Sequence, residues 1–170
     1  RIGGGFGGIA ISLRLQNLGY ETTIIEKLND YNCQINVVDS WVLGEEAKNN
    51  LVKLFNLYGS DKSSAHNYEI IYAHILMNLP KKINLLEIGL GTNNTEVISN
   101  MGESGTPGAS LRAFSEFLPN SNIFGADVDK EILFDENNIQ TFYIDQTKYE
   151  TYTEFSKSVN NIKFDLIIDD

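Results

Sequence analysis

The stretch Leu85-Leu86-Glu87-Ile88-Gly89-Leu90-Gly91-Thr92 decides how the rest of the sequence is read. Apolar residues around a single carboxylate read as a buried strand. Two glycines directly after it read as a tight turn, where a ligand can approach the backbone without meeting a Cβ. In a doubly wound sheet, ligands sit at the carboxyl ends of strands near the point where strand order reverses, and Glu87, Gly89, Gly91 and Thr92 would fall there.

The flanking sequence supplies the other elements. Upstream, Leu51, Leu54, Phe55 and Tyr58 mark one face of a helix that Gly59 can end, and Tyr68, Ile71, Tyr72 and Ile75 repeat that spacing before Pro80. Downstream, a loop rich in Gly, Asn and Ser runs to Pro107, and a helix with Leu111, Phe114 and Leu118 inward stops at Pro119. Strands are predicted at 122–127, 139–144 and 164–169, with a helix carrying Tyr152, Phe155 and Val159 before the last. Strands alternating with helices imply an α/β, Rossmann-like parallel sheet over residues 45–170. Residues 31–44 show no strong periodicity and read as a joining segment.

Each predicted strand ends in an acid. Asp127 closes Ile123-Phe124-Gly125-Ala126-Asp127, suited to two ribose hydroxyls; Asp145 closes Thr141-Phe142-Tyr143-Ile144-Asp145, within reach of an adenine amino group; the last strand ends in Asp169 and Asp170. Residues 121–170 hold 11 acids against 4 lysines, so −7 of the total charge of −10 lies there. Strand-end Asp residues also cap helices, and capping or solvation is the expected role of Asp129 and Asp165. The alignment of Glu87, Asp127, Asp145 and Asp170 favours a site.

Composition removes several classes. Thirteen Lys+Arg against 23 Asp+Glu argue against a nucleic-acid surface. One cysteine, Cys33, excludes an internal disulfide and multi-thiolate zinc clusters, and fits a reducing cytoplasm. No apolar run reaches the roughly 18 residues of a membrane span. A homo-oligomer stays open.

The N-terminus carries a second pattern. Gly3, Gly5 and Gly8 fill G-x-G-x-x-G, an amphipathic stretch follows from Ile9 to Leu18, and Thr22-Thr23-Ile24-Ile25 ends in Glu26. Glycines for a tight turn, a helix N-terminus for phosphates and a carboxylate for ribose form a dinucleotide fingerprint. Residues 1–30, read as a short partial βαβ unit, resemble the FAD-binding start of phytoene desaturases and flavin amine oxidases. The resemblance covers about 30 residues; Asn32-Cys33-Gln34 stand where those families continue with Gly-Gly-Arg.

The segment from about residue 56 onward resembles class I S-adenosylmethionine-dependent methyltransferases, most closely the macrocin and mycinamicin sugar O-methyltransferases. The residues that carry this are Tyr58-Gly59-Ser60-Asp61-Lys62 with His66 and Tyr68, the Leu86-to-Thr92 motif, Gly108-Ala109-Ser110-Leu111-Arg112, Gly125-Ala126-Asp127-Val128-Asp129, Asp145-Gln146 and Ile167-Ile168-Asp169-Asp170. The resemblance implies methyl transfer to a hydroxyl of a small molecule, often a sugar, assisted by Mg²⁺. It implies cofactor contacts from Glu87, Gly89, Gly91, Thr92, Asp127, Asp145, Arg112 and Lys62, with Asp169 and Asp170 at the metal and Glu87 at either. The family's expected base is a histidine just after Asp-Asp, beyond Asp170. The sequence starts without Met and stops in a strand, which predicts a piece of a longer enzyme that does not turn over alone. Two alternatives remain: the start of an FAD-dependent oxidoreductase, or an inactive fusion of two unrelated beginnings.

Overall fold

The structure, a computed structural model, describes residues 41–170, with side chains from Gly44 onward. Gly3, Gly5, Gly8 and Glu26, the FAD reading attached to them, and Cys33 lie outside the described residues.

Helices α1 (Trp41–Tyr58), α2 (Asp61–Ser64) and α3 (Glu69–Asn78) precede β1 (Asn84–Ile88). Helix α4 (Ala109–Phe117) leads into β2 (Asn122–Asp127). A 3₁₀ turn (Lys130–Ile132) and β3 (Asp135–Glu136) come before β4 (Ile139–Tyr143), and α5 (Tyr149–Ser158) leads into β5 (Leu166–Asp169). The five strands form one sheet in the order β3-β4-β2-β1-β5. Strand β1 pairs in parallel with β2 and with β5, β2 pairs in parallel with β4, and β3 runs antiparallel to β4. The chain steps outward from β1 to β2 and β4, then returns to lay β5 on the other edge of β1. Strand order therefore reverses at β1, the switch point of a Rossmann-like sheet.

Alternation along the strands separates two cores. Leu85 and Ile123 face a layer built by Leu51, Leu54 and Phe55 of α1, Tyr72 and Leu76 of α3, and Leu111 and Phe114 of α4. Phe55, Tyr72 and Phe114 pack edge to face, with ring centroids 5.3–6.2 Å apart. Leu86, Ile88, Phe124 and Ala126 face the opposite way, onto Tyr152 and Phe155 of α5. Glu87 has the parity of Leu85, so its carboxylate enters the α1/α3/α4 layer.

Several elements differ from the sequence reading, among them β5, which starts at Leu166 rather than at 164. Helix α1 begins at Trp41, inside the segment read as joining, and the Gly44 within it, a poor helix residue, hid the start. Strand β4 stops at Tyr143 rather than reaching Asp145, because the Asp145 carboxylate accepts from the Thr147 amide at 3.0 Å and turns the chain. The two-residue β3 was not foreseen; Asp135-Glu136 carries neither apolar alternation nor β-branched residues.

Candidate functional site

Parallel register brings the strand ends level. Ile88 lies opposite Ala126 on one side and Asp169 on the other, and the Asp170 amide donates to the Ile88 carbonyl at 2.9 Å. Glu87, Asp127, Asp169 and Asp170 are thereby gathered along one edge of the sheet, around the switch point.

At the centre is a buried charge cluster. Helix α2 is a single turn whose N-cap Ser60 accepts from the Lys62 amide, and the Lys62 carbonyl accepts from the Tyr68 amide at 2.8 Å. So fixed, Lys62 sends its Nζ to 3.0 Å from Glu87 Oε1 and 2.6 Å from Asp170 Oδ2. Ser110, in the first turn of α4, donates to Glu87 Oε2 at 2.6 Å. Burial pushes the Glu87 carboxyl up, with Lys62 acting against it. Burial alone would pull the Lys62 ammonium down, but Glu87, Tyr72 and Asp170 reverse this and hold it above the ordinary lysine value. An ammonium bracketed by two carboxylates decides for the charged lysine. Burial also pushes up the phenol of Tyr72, next to this cluster.

The glycine turn is built against its own chain. Gly89 has φ +91°, and a Cβ there would lie 2.5 Å from the Asp170 carbonyl oxygen. Gly91 has φ +75°, and a Cβ there would lie 2.4 Å from Met101 Sδ. At these two positions a side chain would run into the Asp170 backbone and into Met101, so glycine is required at Gly89 by its own chain. Asp127 holds the turn: Oδ2 accepts from the Leu90 amide at 2.7 Å and Oδ1 from the Asp129 amide at 2.9 Å. Thr92 donates to Asp129, which also caps the 3₁₀ turn through the Glu131 amide at 3.0 Å.

Other expected residues make no contact with the cluster of Lys62, Glu87 and Asp170. Asp145 uses Oδ1 on Thr147 and Oδ2 on Lys148 at 2.7 Å, and the Lys148 hydrogen bond, ahead of those from Thr147, holds its carboxyl down at about 2. Arg112 is not brought to the cluster. Its guanidinium pairs with Glu136 at 2.9 Å, donates to the Pro107 carbonyl and stacks over Phe134 at 4.1 Å, tying α4 to β3. His66 stacks on Tyr68 and stands 3.4 Å from Asp61. Asp165, at the opposite end of the sheet, accepts from the Asn84 amide at 2.8 Å.

Sequence reasoning gave no role to Ser110, Tyr72 or Gln146. Gln146 donates to Asp169 Oδ1 at 3.3 Å. Ser110 and Gln146 stand inside the quoted Ala-Ser-Leu-Arg and Asp-Gln segments, so those segments were the available signal; Tyr72 read only as a core position.

Two ligands can be tested against these residues. Each Asp127 oxygen accepts one amide and keeps acceptor capacity, which suits ribose hydroxyls. Adjacent carboxylates at Asp169 and Asp170, the latter with 40% of its side chain exposed, are the hard oxygen donors that Mg²⁺ takes in ones and twos. Among the described residues no group of three or more His, Cys, Asp or Glu is placed to hold a metal. Asp127 fits a cofactor ribose, and the carboxylates of Asp169 and Asp170 suit a hard cation in kind, each with a partner of its own, Gln146 and Lys62. An open concavity of about 800 Å³ on α1 and α3, lined by Glu46, Asn50, Lys53 and Met77, lacks such chemistry.

No protein-family model matches the sequence. No match was found among curated proteins. Solved structures do match. The MycE methyltransferase of the mycinamycin biosynthetic pathway, in complex with Mg and SAH, is similar with 29% identity and a TM-score of 0.53, over 71% of this chain and 31% of that one. A second MycE structure, with Mg, SAH and mycinamycin VI, matches at 27% identity and a TM-score of 0.53, over 71% of this chain and 29% of that one. The chain thus spans about three-tenths of the length of the enzyme it resembles. Over most of its length it has the Rossmann-like fold of an S-adenosylmethionine-dependent methyltransferase.

Proposed function

We propose that the chain is the cofactor-binding part of an S-adenosylmethionine-dependent O-methyltransferase that acts on a hydroxyl of a sugar or glycosylated small molecule with Mg²⁺ assistance. The observation that carries this is the row of acids around a glycine turn at the switch point, in a fold shared with an enzyme solved with SAH and Mg. A sugar-bearing acceptor is supported by the MycE complex with mycinamycin VI.

When bound, S-adenosylmethionine supplies an electrophilic methyl carbon and Mg²⁺ lowers the pKa of an acceptor hydroxyl. The chain's own residues do the positioning. Asp127 holds the Leu90 amide and keeps lone pairs for ribose, so the glycine turn and the cofactor sugar would share one anchor. Lys62 and Ser110 fix Glu87 behind the turn. Asp169 and Asp170 offer carboxylate oxygens to a cation, with Gln146 orienting Asp169. Methyl transfer needs an in-line approach, so rigidity of this edge matters more than any single contact.

A melting experiment tests the reading. S-adenosylmethionine or S-adenosylhomocysteine (SAH) should raise the Tm while FAD does not. A shift with FAD and none with SAH would reverse the assignment.

A further inference from the structure

Lys62 is 2% exposed, a place where a lysine is rarely found unless paired. Its Nζ lies 3.0 Å from Glu87 Oε1 and 2.6 Å from Asp170 Oδ2, so two carboxylates from neighbouring strand ends bracket one point. Glu87 is wholly buried, and its second oxygen is taken by Ser110. Its Oε1 meets Lys62 as an ion pair and accepts no hydrogen bond, and at 0% exposure it lies out of reach of a hydrated ion. Asp170, by contrast, has a side chain 40% exposed.

We propose that the Lys62 ammonium is a built-in cation that fills the inner of two cation positions at the switch point, so that Glu87 is a structural anchor and a divalent ion is confined to the outer carboxylates, Asp169 and Asp170. The metal half rests on the function proposed above; the ammonium half rests on geometry alone. The fixed reach of Lys62 supports it. Ser60 caps its amide and Tyr68 binds its carbonyl, so the side chain enters from a backbone held on both sides. An ammonium tolerates oxygens at 2.6–3.0 Å, whereas Mg²⁺ needs them at about 2.1 Å and surrounds itself with six. At this spacing the bracket holds the ammonium already in it, and the oxygens would have to close in on a divalent ion only once that side chain is removed. Lys62 is a positioning residue here: it acts through Glu87 and Asp170.

The test titrates MnCl₂ into the full chain, reading free Mn²⁺ by electron paramagnetic resonance and Tm by calorimetry. With Lys62 present, Glu87→Gln should leave Mn²⁺ affinity within about two-fold, because Glu87 is no ligand. Lys62→Met should gain a Mn²⁺ site at least about ten-fold tighter, and Lys62→Met/Glu87→Gln should lose that gain. If Lys62→Met folds only when Mn²⁺ is supplied, the divalent ion has replaced the ammonium, as proposed. The proposal is overturned if Glu87→Gln alone weakens Mn²⁺ binding about ten-fold, or if Lys62→Met shows no Glu87-dependent gain, including failure to fold with Mn²⁺. A wild-type chain that binds no Mn²⁺ removes the metal from the proposed function and overturns the outer-site half, whereas the gain in Lys62→Met still decides the ammonium half.

Discussion

Lys62 and Glu87 meet with 3.0 Å between Nζ and Oε1 at positions where their side chains are 2% and 0% exposed. Removing one partner of such a pair leaves a charge stranded in the core, whereas removing both leaves only a packing change. Lys62→Met is expected to lower unfolding free energy by about 3–5 kcal/mol, and Lys62→Met/Glu87→Gln to recover most of it. Urea denaturation of the metal-free proteins measures both. Equal losses in the single and double variants would show that the pair is not coupled.

Ser110 should matter through the same carboxylate. Its hydroxyl is the donor to Glu87 Oε2, so Ser110→Ala leaves a buried oxygen without that bond and should cost about 1–3 kcal/mol. Ser110→Thr, which keeps a hydroxyl, should cost less if the added methyl is accommodated. Urea midpoints compared at constant m-value give the answer.

Gly89 combines a positive φ with close approach of another strand. Gly89→Ala puts a Cβ 2.5 Å from the Asp170 carbonyl oxygen at φ +91°, so the β1 and β5 ends must part. The expected loss is about 1–3 kcal/mol of stability, accompanied by weaker SAH binding. Hydrogen exchange should show lost protection at the Asp170 amide, which bonds to Ile88 across that gap.

Asp169 predicts a pH dependence with a definite sign. Burial, reinforced by the Asp170 carboxylate, raises its pKa to about 7. An acid whose folded pKa is raised binds its proton more tightly in the native state, so stability falls as pH rises from about 4 to about 7. In chelator-treated protein Asp169→Asn should flatten that slope and gain on the order of 2 kcal/mol at neutral pH. Added Mg²⁺ should act in the opposite direction, stabilising more at pH 8 than at pH 5, because it needs ionised ligands. Chemical unfolding at a series of pH values, with and without Mg²⁺, tests both signs.

Much of this was legible because it rests on local pattern. The apolar stretch around Glu87 and the glycines after it announced β1 and its turn, and Ile123–Asp127 announced β2 with its acid at the right end. Prolines at 80 and 119 marked where helices had to stop. What stayed hidden depends on contacts distant in sequence. Lys62 read as a cofactor contact, and only the reach of its side chain from α2 to the ends of β1 and β5 buries it between two carboxylates. Arg112 carried a familiar-looking segment, but its partner Glu136 belongs to a strand of two charged residues that no periodicity reveals. For Asp145 the pattern misled by two residues, because its own side chain ends the strand by turning the backbone. At Gly91 a Cβ would meet Met101, a side chain from the loop that follows, and that neighbour shows in no pattern around the glycine.

The central claim is that the carboxyl edge around Asp127 binds S-adenosylmethionine. Isothermal titration of SAH into the 170-residue chain, alongside Asp127→Asn, tests it most directly. The account predicts one site per chain in the wild type and at least about ten-fold weaker binding in Asp127→Asn, the scale of hydrogen bonds lost to a charged group. Absence of SAH binding to the folded wild-type chain, or equal binding by the two proteins, would contradict it.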